Sequence, residues 1–211
     1  LIQIWKECLN ASKIHINESH EKEKKQMKIV LASQSPRRKE LLGRLVSAFD
    51  VHPADIDETP FVQEKPKNYV ERMATEKAKV VKHQYDNDVL VIASDTTVVF
   101  NDEIIGKPAD EQEAKAILQK LSGKTHEVYT AVVLTKGDQE EKILAQAKVT
   151  FYPLTTKDIE AYLAAGDYMD KAGAYGIQSF AGAFVKEIQG DYYSIVGFPI
   201  GAVYQGLKKF M

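Results

Sequence analysis

The 211-residue chain has little cysteine, no long apolar run and almost no net charge. Its single thiol, Cys8, excludes an internal disulfide framework and a four-cysteine zinc module, and it favours a reducing compartment. No apolar run approaches the roughly 20 residues of a membrane span, so we expect a soluble, cytoplasmic protein. With 28 Lys and Arg against 30 Asp and Glu, the overall charge indicates neither a nucleic-acid nor a membrane partner.

The apolar content is 44%, which is enough for a sizeable core in one domain and excludes a disordered or collagen-like chain. The first 26 residues are polar and lack the apolar stretch and cleavage site of a secretory signal. We expect residues 1–26 to be an N-terminal extension outside the fold, with a helical arm as the alternative. The folded domain is then expected to span residues 27–211.

Strand and helix patterns alternate along this domain. Apolar, β-branched runs predict buried strands at 28–33 and 89–93, a continuation to a turn at Asn101-Asp102, and paired strands at 128–135 and 143–152. Helical periodicity or capping residues predict helices at 36–46, 68–85, 110–121 and 156–165, and a last helix near Met211. The runs at 183–188 and 192–198 are expected to form a hairpin through Gln189-Gly190-Asp191. Hairpins among alternating strands and helices favour an α/β fold with a mixed sheet.

The helix that follows the first strand begins with an unusual concentration of positive charge. Ser35 is a suitable N-cap, and Arg37, Arg38 and Lys39 follow in the first turn, where the helix dipole is already positive. This arrangement is unfavourable unless an anion binds there. Together with the hydroxyls of Ser33 and Ser35, it predicts a phosphate site. The alternative is that these cations pair with surface carboxylates.

Three charged residues lie where apolar ones are expected. Helical spacing places Arg38 on the apolar side of its helix, and Lys77 near the centre of another apolar stripe. Asp95 lies within a strand between two apolar runs, where a carboxylate costs several kcal/mol unless it is paired, hydrogen-bonded or bound to metal. Lys77 either extends to solvent along its stem or points into a charged cleft. Asp95 could instead cap a neighbouring loop.

An acidic cluster and a rigid lysine turn complete the set. Asp55, Asp57 and Glu58 offer the oxygen ligands that Mg²⁺ or Mn²⁺ prefers, although such clusters are often simply solvated. Lys107 lies in a Gly-Lys-Pro turn. No zinc spacing and no Ser-His-Asp or Cys-His pattern is found among the five histidines. Together these residues favour a phosphate-and-metal site that promotes attack of water on a phosphoryl group.

Six motifs in register resemble the Maf family of nucleoside triphosphate pyrophosphatases, also called septum formation inhibitor proteins. They are SQSPRRKELL at 33–42, EKA at 76–78, SDT at 94–96, GKP at 106–108, DKAGAYGIQ at 170–178 and GFP at 197–199. The resemblance covers residues 27–211. It implies an α/β fold similar to inosine triphosphate pyrophosphatases, with a mixed twisted sheet, flanking helices and two lobes around a cleft. It also implies a homodimer and cleavage of a nucleoside triphosphate to the monophosphate and pyrophosphate with Mg²⁺ or Mn²⁺.

The resemblance assigns roles to the charged residues. Asp95 would activate the attacking water and hold the metal with Glu58, while Lys77 and Lys107 would act with it in catalysis. Phosphate binding would fall to Ser33, Ser35 and Arg38. Ala93 stands where many members have glycine, which reduces the backbone freedom before Asp95.

Three positions indicate the substrate branch. Arg37, Thr96 and Gln178 resemble the dTTP/UTP branch, whereas the branch that acts on 7-methyl-GTP has Trp, Gln and Glu there. A primary amide offers the donor and acceptor that complement a carbonyl and N3–H of uracil or thymine. Gln178 could instead stabilise its own loop. The family's older name leaves open a nucleotide-binding regulator of cell division, while the balanced charge opposes an oligonucleotide-binding protein.

Overall fold

One mixed sheet of seven strands forms the centre of the structure, a computed structural model that describes residues 27–211. The predicted extension at 1–26 lies outside the described residues. The strands are β1 (Ile29–Leu31), β2 (Asp50–Val51), β3 (Leu90–Phe100), β4 (Glu103–Ile105), β5 (Thr125–Lys136), β6 (Gln139–Phe151) and β7 (Val185–Gln189).

Parallel and antiparallel pairing divide the sheet into two parts. The order is β2-β1-β3-β5-β6-β7, with β4 paired to β3. β1 is parallel to both β2 and β3, whereas all other pairs are antiparallel. The prediction of a mixed sheet is therefore confirmed. The carboxyl ends of β1 and its parallel neighbours form the edge at which α/β proteins usually bind ligands.

The described residues form six α-helices: α1 (Pro36–Gly43), α2 (Pro66–Lys82), α3 (Glu111–Leu121), α4 (Thr156–Ala164), α5 (Tyr192–Val196) and α6 (Ile200–Leu207). Ser35 caps α1 and Asp110 caps α3, as their positions predict. Among residues 27–211, no helix combines the length and apolar character that crossing a membrane requires.

The predicted hairpin after β7 is wrong. β7 pairs with β6, but the second run, 192–198, begins with helix α5 instead of a strand. The side chain of Asp191 accepts a hydrogen bond from the Tyr193 backbone (3.0 Å), which starts the helix. Gly197 then ends it at φ 110°, a left-handed conformation that favours glycine. The aromatic and β-branched residues of this run resemble a strand, and these two end signals override that preference.

The two faces of the sheet pack against different helices, and β3 contributes alternate residues to each. Val91, Ala93 and Val99 join the core beneath α2. Leu90, Ile92 and Val98 join the core on the opposite face, which includes Leu41 and Leu42 of α1. Successive strand side chains point to opposite faces. Asp95 is therefore directed toward α2, and its neighbours Ser94 and Thr96 toward α1 and α5.

Candidate active site

A cavity of about 500 Å³ lies where β1 and β3 meet α1 and α2. This volume is within the range of small-molecule sites, roughly 300–1,000 Å³. All ten residues predicted for the site line this one cavity: Ser33, Ser35, Arg37, Arg38, Glu58, Lys77, Asp95, Thr96, Lys107 and Gln178.

The start of α1 is arranged to donate hydrogen bonds into the cavity. The Ser35 hydroxyl accepts from the backbone N–H of Arg38 (3.5 Å). The Ser33 hydroxyl accepts from the Ser35 backbone N–H and from Nη1 of Arg38, both at 3.2 Å. Neither hydroxyl hydrogen is used in these hydrogen bonds, so each hydroxyl can still donate one. A phosphate oxygen in the cavity would accept it.

The Arg38 guanidinium is held entirely by neutral acceptors. Nε donates to the carbonyl of Gly197 (3.0 Å), Nη1 to Ser33 and Nη2 to the Thr96 hydroxyl (3.0 Å). Among the described residues, no carboxylate lies within ion-pair distance of Arg38. Burial lowers the pKa of Arg38, and the field of Asp95 partly opposes this. A partly buried cation without a counter-ion favours binding of an anion.

The buried ammonium of Lys77 links two carboxylates. Its Nζ lies 2.7 Å from Oδ1 of Asp95 and 2.6 Å from Oε1 of Glu58. Lys107 Nζ lies 3.1 Å from Oε2 of Glu58. Burial works to raise the pKa of Glu58, but the hydrogen bond and charge of Lys77, together with Lys107, bring it below its usual range. Lys77 therefore points into the charged cleft and does not extend to solvent.

The carboxylate pair fits a divalent cation that binds together with phosphate. Asp95 and Glu58 converge on the same nitrogen, so their oxygens face one small volume. Residues 27–211 contain no group of three or more His, Cys, Asp or Glu that could hold a metal ion. Mg²⁺ is typically held by one or two carboxylates plus substrate phosphates and water, so two suffice. Asp55 and Asp57 do not line the cavity.

The loop that carries Glu58 is fixed to α2 by polar contacts. The Tyr69 hydroxyl donates to the backbone carbonyl of Glu58 (2.9 Å). Arg72 donates to both carboxylate oxygens of Glu64, at 2.8 and 2.7 Å, and to the Thr59 carbonyl (3.1 Å). A bidentate pair of this kind is among the more specific hydrogen-bond arrangements. Helix α2 thus positions both Lys77 and the loop of Glu58.

The Gln178 side of the cavity is a loop between α4 and β7. Asp167 organises it, because Oδ1 pairs with Lys171 Nζ (3.1 Å) and Oδ2 accepts from the hydroxyls of Ser179 and Tyr162. The Gln178 amide is exposed and makes no hydrogen bond to a described residue, so Asp167, and not Gln178, stabilises this loop.

Sequence reasoning missed the apolar part of the lining. These residues come from segments far apart in the chain, and no local pattern connects them: Val98, Val128, Met169, Tyr175, Ile195 and Val196. Two of them had a local signal: Tyr175 lies inside the glycine-rich motif at 170–178, and Met169 directly precedes that motif and is 57% exposed.

Comparison with known proteins identifies the family. The family described as "Maf-like protein" matches residues 28–210. The chain belongs to the Maf family. Among the relatives of this Maf chain, a protein named "dTTP/UTP pyrophosphatase" from Bacillus cereus (strain AH187) is 45% identical over 183 residues, which cover 87% of this chain and 95% of the relative. A protein with the same name from Bacillus anthracis (strain CDC 684 / NRRL 3495) is 44% identical over 183 residues, which again cover 87% of this chain and 95% of the relative.

Two solved structures have weaker likenesses to this Maf chain. The Ham1 protein of Staphylococcus aureus has a TM-score of 0.48 at 13% identity, covering 87% of this chain and 100% of that one. A nucleoside-triphosphatase, or dITP/XTP pyrophosphatase, from Mycobacterium abscessus has a TM-score of 0.40 at 15% identity, covering 59% and 74%.

Proposed function

We propose that this Maf protein is a cytoplasmic, metal-dependent nucleoside triphosphate pyrophosphatase that hydrolyses dTTP and UTP. The observation that carries the proposal is the contrast within one cavity. At one end Arg38 has no carboxylate partner among residues 27–211, and at the other Lys77 is shared by Asp95 and Glu58. A triphosphate supplies the anion that Arg38 lacks, and its metal is a further cation for the two carboxylates. The names of the relatives support the substrate class.

The start of α1 holds the phosphate chain in this proposal. Arg38 uses three of its five N–H donors on the protein, which leaves two for phosphate oxygens. Ser33 and Ser35 donate their hydroxyl hydrogens to the same group. Lys107 is 56% exposed, so it can turn from Glu58 to the phosphates as they enter. These donors neutralise the charge that develops as pyrophosphate leaves.

Asp95 acts as the base. Lys77 holds its Oδ1, whereas its Oδ2 accepts no hydrogen bond from the described residues and can face a water molecule. The water oxygen attacks the α-phosphorus, its proton passes to Asp95, and the bond from that phosphorus to pyrophosphate breaks. Asp95 and Glu58 would hold Mg²⁺ or Mn²⁺, which would withdraw charge from the phosphoryl oxygens.

Gln178 is proposed to recognise the base. Its unbonded amide has a donor and an acceptor available, and these match a carbonyl and the N3–H of uracil or thymine. Arg37 and Thr96 line the same cavity and complete the set that resembles the dTTP/UTP branch. We further propose a homodimer, on the family resemblance alone.

The test is Asp95→Asn, which keeps the shape of the side chain and removes its basicity. Release of pyrophosphate from UTP and dTTP should fall about 10²- to 10⁴-fold, the range for losing a general base. Nucleotide binding, measured by calorimetry, should be largely retained. Asp138→Asn, at an exposed turn position, is the matched control. If Asp95→Asn hydrolyses dTTP at the wild-type rate, Asp95 is not the base, and a binding role without hydrolysis becomes the better explanation.

A further inference from the structure

A line of hydroxyl groups leads from Arg38 into the protein interior. Nη2 of Arg38 lies 3.0 Å from Oγ1 of Thr96, which lies 2.9 Å from Oγ1 of Thr130. Thr130 in turn lies 2.7 Å from the carbonyl oxygen of Ser194. Thr130 is fully buried on β5 and does not line the cavity. None of the sequence motifs includes it.

The direction of each hydrogen bond in this line is fixed. A carbonyl can only accept, so Thr130 must give its single hydroxyl hydrogen to Ser194. Thr96 must then donate to Thr130, which leaves a lone pair of Thr96 facing Arg38. The line therefore presents an acceptor to the cation and ends on a backbone carbonyl. Hydrogen bonds that run in one direction polarise and strengthen one another.

The same short helix also holds Arg38 by a second route. The Gly197 carbonyl accepts from Nε of Arg38 (3.0 Å) and from the Ser94 hydroxyl (3.1 Å). Ser194 lies within α5 and Gly197 caps its carboxyl end, so one structural element orients two nitrogens of the guanidinium. A side chain at Gly197 would place its Cβ 3.2 Å from the Thr96 hydroxyl, and together with the φ of 110° this close approach favours glycine.

We propose that Thr130 is a positioning residue for Arg38, and that it sets the orientation in which Arg38 binds the triphosphate. This inference rests on the proposed function of Arg38. Without the Thr130 hydroxyl, the Thr96 hydrogen has no acceptor and the Thr96 lone pair is no longer held toward Nη2. The guanidinium then keeps two of its three protein contacts and loses its fixed plane. Thr130 itself touches no substrate.

The experiment uses Thr130→Val, which preserves size and β-branching while removing the hydroxyl. Affinity for inorganic tripolyphosphate, measured by calorimetry, and kcat/KM for UTP should both fall about tenfold to a hundredfold, because the hydrogen bond between Thr96 and the Arg38 cation is weakened with the line that orients it. Thr130→Ser keeps the hydroxyl, so its tripolyphosphate affinity and its kcat/KM for UTP should both remain within about threefold of wild type. The matched control is Thr135→Val, a buried β5 threonine whose side chain has no hydrogen bond to a described residue.

A double-mutant cycle separates positioning from packing. In an Arg38→Ala background, Thr130→Val should cause no further loss, because Thr130 acts only through Arg38. The proposal is overturned if Thr130→Val has the wild-type tripolyphosphate affinity and kcat/KM, or if Thr130→Ser lowers them as much as Thr130→Val does. It is also overturned if the losses caused by Arg38→Ala and Thr130→Val add in the double variant. If Thr130→Val does not fold, Thr96→Val interrupts the same line and is scored in the same cycle by tripolyphosphate affinity alone, because Thr96 also belongs to the proposed base-recognition set. If Arg38→Ala itself retains wild-type tripolyphosphate affinity and hydrolysis, the failure belongs to the proposed function instead.

Discussion

Replacing Lys77 by methionine removes the cation that two carboxylates share. The side chains of Lys77 and Asp95 are only 10% and 11% exposed, and their contact is 2.7 Å. Methionine has a comparable length and is apolar, so it can fill the same space beneath the sheet. The change therefore leaves packing nearly intact and deprives Asp95 of its buried partner.

The size of the effect follows from the unequal exposure of the two carboxylates. Removing one partner of a buried ion pair typically costs about 3–5 kcal/mol, because the other charge remains buried. Glu58 is 40% exposed, so water solvates much of its charge once Lys77 is gone. Only Asp95 stays uncompensated, and we expect the lower end of the range, about 3 kcal/mol. For a domain of this size that corresponds to a fall in Tm of roughly 6–12 °C.

Urea and thermal unfolding in buffer containing a chelator measure this cost. Lys107→Met is the matched control: Lys107 also pairs with Glu58, but it is 56% exposed, so we expect a loss below about 1 kcal/mol. Millimolar Mg²⁺ or Mn²⁺ should restore part of the stability of Lys77→Met, since the cation would replace the Lys77 ammonium between the two carboxylates.

Two results would refute this reasoning in different ways. If Lys77→Met is as stable as Lys107→Met in chelator, the buried pair contributes no more than a surface one. If Lys77→Met is destabilised but added metal changes neither its urea midpoint nor its Tm, Asp95 and Glu58 do not bind a divalent cation without substrate.

The remaining predictions concern pH and substrate choice. Burial lowers the pKa of His126 to about 4. Between pH 6.5 and 4 the histidine is therefore protonated in the unfolded chain but neutral in the folded one. The free energy of unfolding should decline by up to roughly 3 kcal/mol as the pH falls through this range. His126→Phe should remove this part of the acid sensitivity in urea midpoints at pH 7.5 and 4.5, and a pH dependence equal to wild type would contradict it. Gln178→Glu should reduce kcat/KM for UTP and dTTP about tenfold to a hundredfold in a pyrophosphate-release panel that includes 7-methyl-GTP. An unchanged preference for UTP would exclude the amide from base recognition.

Local signals in the sequence predict most of the fold. β1, β3, β5 and the caps of α1 and α3 are specified by short-range patterns, and the structure has them in the expected places. The failure at 192–198 is also local in origin. Aromatic and β-branched residues favour a strand, and only the cap at Asp191 and the left-handed Gly197 distinguish the short helix that forms.

In the candidate site, too, the sequence predicts individual residues with a local signal but not the contacts between distant segments. A charge in an apolar pattern is visible in the sequence, which is why Arg38, Lys77 and Asp95 could be singled out. The partner of such a charge is not visible, because it depends on segments far apart. Arg38 reaches a carbonyl 159 residues away, and Lys77 reaches a carboxylate 18 residues away.

Strand β3 explains how these distant partners serve one site. Its consecutive residues Ser94, Asp95 and Thr96 point to alternate faces of the sheet. The carboxylate therefore meets Lys77 of α2, while the two hydroxyls contact Arg38 or the carbonyl that holds it. A shift of one residue in the register of β3 would exchange these faces, separating Asp95 from Lys77 and leaving Arg38 opposite a carboxylate. Within the described residues, the register of one buried strand thus keeps Arg38 without a carboxylate partner and Asp95 paired with Lys77, as the proposed reaction requires.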